Sequence, residues 1–510
     1  MRKSWLVTIA SLLILASCER GNDISRLNIA VSSEPPTLDV MVNTSLISRI
    51  IAVGNIYEKL FVLDGEGKIR TELAESYGIT SDGRVLTIRI RDGVPFHDGK
   101  IMDAEDVVSS LNRWLDRYGT ANSFVSGSRF KAIDDDTIQI ESDNSLILFP
   151  YLMASAPQSA VITEKRIIDS LESGELLTKY IGTGPYKLSS WRSGDRIELS
   201  RFDDYKKYGE SSSGVWGQKN AYIDMLSYQF VPDSVTRRLG LQSGQFDFIN
   251  DVMSEDRPVF ERDENIYTIE GGESGSIALV FNKKEGIGTD VDFRKAVSLL
   301  LDYDSLLKAC YGDYGYAVHS DYMEKEQTLR SVDASENPYK GQNIELAKKF
   351  LDRSGYNGKS VRILTSNLSN LDKIAVAMKS DFERVGIESE IESVDWASMI
   401  EKRKDSSLWD IYISAYSRVA LPQMKSYLSP SYPGWIDETE EGMELLQEMN
   451  NTKSVEEASI IWQNAQRSFW ESVPVVIPGH YTTVYGARKS VKGIISQDGF
   501  FFWNAEKEEL

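Results

Sequence analysis

From about residue 276 onward, short apolar runs alternate with helical repeats, and this alternation restricts the fold more than any other feature of the chain. SIALVFN, IESEIESV and WDIYISAY read as strands. FRKAVSLLLDYDSLLKACYG, DKIAVAMKSDFERVG and DWASMIEKRK read as helices, with Gly312 and Gly386 as stops. Strands alternating with helices predict an α/β domain with a largely parallel sheet. The upstream half has a different texture. Leu86, Ile88 and Ile90 alternate with Thr87, Arg89 and Arg91, a period of two that buries one face of a strand. SRLNIAV opens another strand, AIDDDTIQIES feeds one, and IGTGPYKLSSWRSGDRIELSRF predicts two strands about a turn at Ser193–Gly194–Asp195, while residues 210–220 read as a loop. At 510 residues the chain exceeds one ordinary domain and fits two or three.

The stretch FHDGKIMDAED gathers His97, Asp98, Asp103, Glu105 and Asp106, which resembles a metal or acid/base site. The same residues suit a scaffold. Asp98–Gly99 is a turn dipeptide, and Asp103 stands where a helix N-cap belongs, before the apolar stripe Val107, Val108, Leu111, Trp114 and Leu115. Asp106 is a weaker version of the capping-box partner, and Glu105 and Asp106 suit the positive helix end. Scaffolding is the better reading, with His97 alone open to a functional one.

The formal charge is −20, which repels phosphate backbones and argues against a nucleic-acid partner. Arg237–Arg238 and Lys402–Arg403–Lys404 read as solvated helix faces. The N-terminus carries Arg2 and Lys3, then an apolar run from Trp5 to Ala16 that is too short for a stable membrane anchor. Leu15–Ala16–Ser17–Cys18 closes it and resembles a bacterial lipobox, with residues 1–17 as signal peptide and Cys18 as the lipidated first residue. A plain signal peptide is the alternative. The other cysteine, Cys310, then has no intramolecular partner and reads as a small buried residue.

Catalytic signatures are missing. No HExxH, CxxC, GxxxxGK[ST] or GxSxG occurs, and the three histidines, His97, His319 and His480, show no ligand spacing along the chain. Ser305 and Lys308 match SxxK on an ordinary amphipathic helix. No enzymatic activity, cofactor or bound metal is expected, although paired carboxylates for glycoside hydrolysis stay open among 77 acidic residues.

Several segments together resemble one family. NIYEKLF, LAESYGITSDG, RDGVPFHDGKIMDAEDVVSSLNRW, GTGPYKLSSWRSGDRIEL and VPDSVTRRLGLQSGQFDFI are similar to solute-binding proteins of the peptide/nickel class, family 5, which serve bacterial ABC importers. ALVFNKK, LAKKFLDRSGYNG and the run from Val385 to Tyr416 continue the likeness in family order across nearly the whole mature chain. The resemblance implies a bilobed α/β fold of the periplasmic-binding-protein type (type II, cluster C) with an accessory domain. Domain I would comprise 19–56, 182–268 and 484–510, domain II 57–181, and domain III 269–483. Strands near 269–280 and 474–484 would form the hinge, and the HDG stretch would belong to the accessory domain. The implied task is capture of a peptide or peptide-like solute between domains I and III by a monomer that delivers it to ABC permease subunits. The implied location is the periplasmic or cell-surface side of a bacterial membrane.

The resemblance also suggests ligand-binding residues: Ser33, Glu34 and Thr37 on the loop after the first strand, and Trp396, Tyr416, Ser417 and Arg418 in domain III. Trp409 reads instead as core. Where many peptide binders of the family carry an Asp that grips the α-ammonium, Val419 aligns here, beside Arg418. An arginine favours carboxylate or phosphate, so an anionic solute, such as an opine-like compound or an acidic conjugate, competes with a free-amino-terminus peptide. Bare nickel is a poor candidate with so few histidines. An exported enzyme and a surface protein that binds without feeding a transporter are the readings from other classes.

Overall fold

The computed structural model describes residues 24–209, 211–325, 329 and 332–508, so the lipobox at Cys18 lies outside the described residues. One eleven-stranded sheet runs through the molecule. In chain order its strands are β1 (Arg26–Val31), β2 (Tyr186–Arg192), β3 (Arg196–Arg201), β4 (Met225–Phe230), β5 (Phe248–Ile249), β6 (Ile266–Phe281), β7 (Tyr316–Ala317), β8 (Val361–Ser366), β9 (Ser389–Val394), β10 (Ile411–Ser417) and β11 (Val475–Arg488). Their spatial order is β9-β8-β10-β6-β11-β5-β1-β4-β3-β2, with β7 paired to β11. The long strands β6 and β11 lie antiparallel side by side, from Ile266 opposite Arg488 to Val280 opposite Val475. Strands β8–β10 hang from one side of this pair, and β1–β5 from the other.

The sheet is mixed, which corrects the expected largely parallel one. β8 is parallel to β9 and β10, and β1 to β4 and β5. The central pair and its joins to β10 and β5 are antiparallel. The alternation of strands and helices therefore reports only the crossover units, not the strands that bind them together. SIALVFN proves to be part of the 16-residue β6. FRKAVSLLLDYDSLLKACYG forms two helices, Val291–Leu300 and Tyr303–Tyr311. The break falls where the Asp302 carboxylate accepts from Ser305 N and starts a second N-terminus. Residues 210–220 contain a two-residue hairpin, Ser212–Ser213 with Trp216–Gly217.

A separate antiparallel sheet joins Ala74–Ile79, Val85–Ile90, Thr137–Glu141 and Lys131–Ala132. Leu86, Ile88, Ile138 and Ile140 are its buried face. The helix Ala104–Arg117 buries Val107, Leu111, Trp114 and Leu115. Its N-terminus is a complete capping box: Asp103 accepts from Asp106 N at 3.0 Å, and Asp106 accepts from Asp103 N at 3.1 Å. Asp98 pairs with Arg166. His97 donates through Nε2 to Gly184 O at 3.0 Å and accepts at Nδ1 from Gly182 N at 3.3 Å, so the neutral ring is bonded on both sides. This stretch is scaffold, anchoring the smaller sheet to the entry of β2.

Arg237 corrects another expectation. Its guanidinium is buried and donates to the carbonyls of Val231, Pro232, Asn250 and Asp251, fastening β4 to the chain after β5. No described helix is long and apolar enough to cross a membrane.

Candidate functional site

β6 and β11 carry the chain between the two sets of strands, so a solute captured at their junction touches both. The end of β10 reaches this junction. Ser276 pairs with Tyr416 and Gly275 with Ser417, and Arg418 N extends the ladder to Ser274 O at 2.8 Å. Gly275 is required here, because a Cβ would lie 2.0 Å from the Tyr416 carbonyl oxygen. Ser417 hydrogen-bonds the Tyr481 hydroxyl on β11. Arg418 is 9% exposed, and its Nε lies 3.7 Å from Asp498 Oδ1 on the C-terminal segment. The backbone oxygen of Asp498 accepts from Arg49 Nη2 at 2.7 Å. Two guanidinium groups thus gather at one aspartate.

Two hollows lie in this region. A groove open to solvent is lined by residues 251–255 and Arg257 after β5, by residues 308–312, Tyr314 and Gly315, and by Thr482 and Val484 of β11. A tighter, more enclosed hollow is lined by Arg49, Lys59, Glu72, Lys219, Asp498 and Trp503, among others. In the second, burial pulls the Lys59 pKa down to about 8 while its ammonium donates to Ala154 O at 2.6 Å. Lys219 bridges Glu58 at 2.9 Å and Glu72 at 2.7 Å.

None of the seven residues named from sequence lines either hollow; Arg418 comes nearest, through Asp498. Ser33 is exposed on the loop after β1. Glu34 accepts from Gly194 N and the Trp191 indole, both at 2.8 Å, and these bonds, the backbone one foremost, lower its pKa. Thr37 is buried and accepts from Asp39 N at 3.1 Å. Trp396 is 39% exposed at the start of the helix Trp396–Lys402. The Tyr416 hydroxyl meets that of Tyr412 at 2.6 Å, and burial raises its pKa well above the ordinary phenol. Trp409 is fully buried, as its core reading requires. Sequence reasoning missed Arg49 and Asp498. Neither belongs to a local motif, and only the fold brings them beside Arg418.

Residues 68–437 match the middle region of the bacterial extracellular solute-binding proteins, family 5. The chain belongs to this family. A probable peptide ABC transporter periplasmic-binding protein of Sinorhizobium fredii is 24% identical, covering 92% of this chain and 91% of that protein. The glutathione-binding protein GsiB of Escherichia coli K12 is 26% identical over 78% of this chain and 74% of its own. The binding protein AgaA of A. tumefaciens R10, solved with agropinic acid, superposes with a TM-score of 0.77 at 23% identity, covering 95% of this chain and 99% of that one. That likeness shows the shared bilobed α/β fold. The family-5 chain is the extracytoplasmic substrate-binding component of an ABC importer, and family members bind small solutes and work with ABC permeases.

Proposed function

We propose that this family-5 protein captures a peptide or peptide-like solute between two lobes, as a monomer and without a catalytic step, and releases it to permease subunits. The observation that carries the reading is the β6–β11 pair, on which both sets of strands hang and beside which the groove opens. Closure about such a pair removes solute from water and is favoured only by contacts that the open form lacks. In this reading domain I is 19–56, 182–268 and 484–510, domain II is 57–181, and domain III is 269–483. Extended peptide backbone can be held by hydrogen bonds, with hydrated pockets for its side chains. Ser33, Glu34, Thr37, Trp396, Tyr416, Ser417 and Arg418 are the side chains proposed to face it as the lobes move. The test is calorimetric titration with short peptides. Saturable binding at one site per chain supports the reading, and turnover of the peptide during incubation overturns it in favour of an exported enzyme.

An anionic solute is the second reading, favoured by the two guanidinium groups at Asp498. A solute carboxylate that displaced Asp498 would meet bidentate donors there. Arg418→Glu is then expected to weaken binding of an acidic ligand by at least about tenfold, or 1.4 kcal/mol. Unchanged affinity sinks this version while leaving the peptide receptor intact.

Lipid attachment at Cys18 is also proposed, on the lipobox resemblance. Globomycin-sensitive processing and detergent-phase partitioning, both lost in Cys18→Ser, are the expected results.

A further inference from the structure

His319 and His480 come together at the crossing strands, with three carboxylates around them. Their rings stack with centroids 4.1 Å apart and planes 9° from parallel. Glu273 sits between two register shifts of the β6–β11 ladder, and such bulges re-aim side chains. Its Oε1 lies 2.9 Å from His319 Nε2, whose ring places Nδ1 3.1 Å from Asp321 Oδ2. His480, on β11 opposite Ser276, is fully buried. Its Nε2 lies 2.9 Å from the carbonyl oxygen of Asp321. A carbonyl only accepts, so Nε2 carries the hydrogen, and in the neutral ring Nδ1 presents a lone pair.

Among the described residues Nδ1 has no hydrogen-bond partner. It faces Glu324 Oε1 at 3.8 Å and Glu273 Oε2 at 4.0 Å, too far for a hydrogen bond. The second oxygen of Glu324, also in a fully buried side chain, is likewise without a partner among the described residues. Glu273 Oε2 accepts from Lys325 N and Glu324 Oε1 from Lys425 Nζ, which leaves His480 Nδ1 and Glu324 Oε2 as buried polar atoms that a cation, either a proton or a metal ion, would satisfy.

We propose that Glu273, His319 and His480 form a binding site for one divalent transition-metal ion, of the Zn²⁺ class, that ties β6 to β11. One ligand atom from each of the three lies within 4.8 Å of the others. Tetrahedral bonds of about 2.0–2.2 Å place such atoms about 3.3–3.6 Å apart, so the widest pair closes by about 1.2–1.5 Å around the ion and the stacked rings turn out of parallel to aim at it. Two imidazoles with a carboxylate select zinc-like ions over calcium or magnesium, which prefer all-oxygen sites. The outer contacts fit as well. The Asp321 carbonyl orients His480, and Lys425 Nζ holds Glu324 at 2.9 Å. The ion is a resident of the crossing strands, distinct from the transported solute. It joins both strands to the segment after β7, so its occupancy governs how stiffly they move.

The test uses untagged, EDTA-stripped protein dialysed against Zn²⁺, with bound metal counted by mass spectrometry. One Zn²⁺ per chain is expected for the wild type. Glu273→Gln and His319→Gln, both checked for folding by circular dichroism, are each expected to weaken it at least about tenfold. If the variants do not fold, Co²⁺ bound to the wild type decides: ligand-field bands of a low-symmetry nitrogen–oxygen site support the proposal, and the spectrum of aqueous Co²⁺ overturns it. Substoichiometric Zn²⁺ on the wild type, or equal uptake by both folded variants, also overturns it.

Discussion

His97 has a pH signature whose size follows from its surroundings. Burial is the largest influence on its pKa, and with the Lys187 charge it outweighs the Gly184 bond and the Asp98 charge, pulling the value from 6.5 down to about 4. Geometry points the same way. Protonating Nδ1 puts two N–H groups face to face, because Gly182 N already donates there. The ring stays neutral in the folded protein, whereas in the unfolded chain it takes up a proton below about pH 6.5. Stability supplied by the neutral ring is therefore complete above pH 6.5 and is lost as pH falls toward 4. Between pH 7 and 4.5 the loss is about 2 kcal/mol, discounted for the partly exposed ring edge. Other groups titrate in this range, so the quantity to measure is the difference between wild type and His97→Gln. Urea unfolding of both proteins at the two pH values is expected to show the wild type losing about 2 kcal/mol more than the variant. Direct NMR titration supplies a second readout, since three histidines are few enough to assign by substitution. A His97 resonance that titrates near pH 6.5, or parallel pH profiles for the two proteins, would refute the reasoning.

Removing Arg113 strands a buried carboxylate, because Asp39 is fully buried and takes both guanidinium nitrogens as well as Leu177 N. Arg113→Met is expected to destabilise by about 3–5 kcal/mol, read as a lower urea midpoint at unchanged slope. Asp103→Ala removes half of a capping box and is expected to cost about 1 kcal/mol by the same assay. The Cys310 thiol, pushed up to about 12 chiefly by burial and bonded to Ser369 O at 3.2 Å, is expected to react with Ellman's reagent far more slowly in the native protein than after unfolding. Rapid labelling of the native protein contradicts that environment.

Local signals told most about local structure. Alternating Leu86, Ile88 and Ile90 and the Asp103 cap appear in the fold as the residues imply, since each depends on neighbours within a few positions. The break at Asp302 was legible in principle: an Asp three residues before Ser305 is a cap, but the leucines around it continue the helical period. Mixed pairing in the main sheet was not legible, because the partners of β6 and β11 are fixed by contacts far apart in the chain. Arg237 looked solvated because its burial depends on carbonyls of two other segments. The same limit governs the candidate site. Arg418 was noticed from its place in a family pattern, whereas Arg49 and Asp498 acquire meaning only beside it. His319 and His480 show no ligand spacing in sequence, yet the segment after β7 lays one ring on the other from β11, and a bulge in β6 brings Glu273 to them.

Native mass spectrometry of the purified protein, mixed with a pool of di- to pentapeptides, tests solute capture most directly. The account predicts a saturating adduct of one peptide or peptide-like molecule per chain, released on denaturation with its covalent structure unchanged. A protein that remains unliganded across the whole pool, or that releases cleaved products, contradicts it.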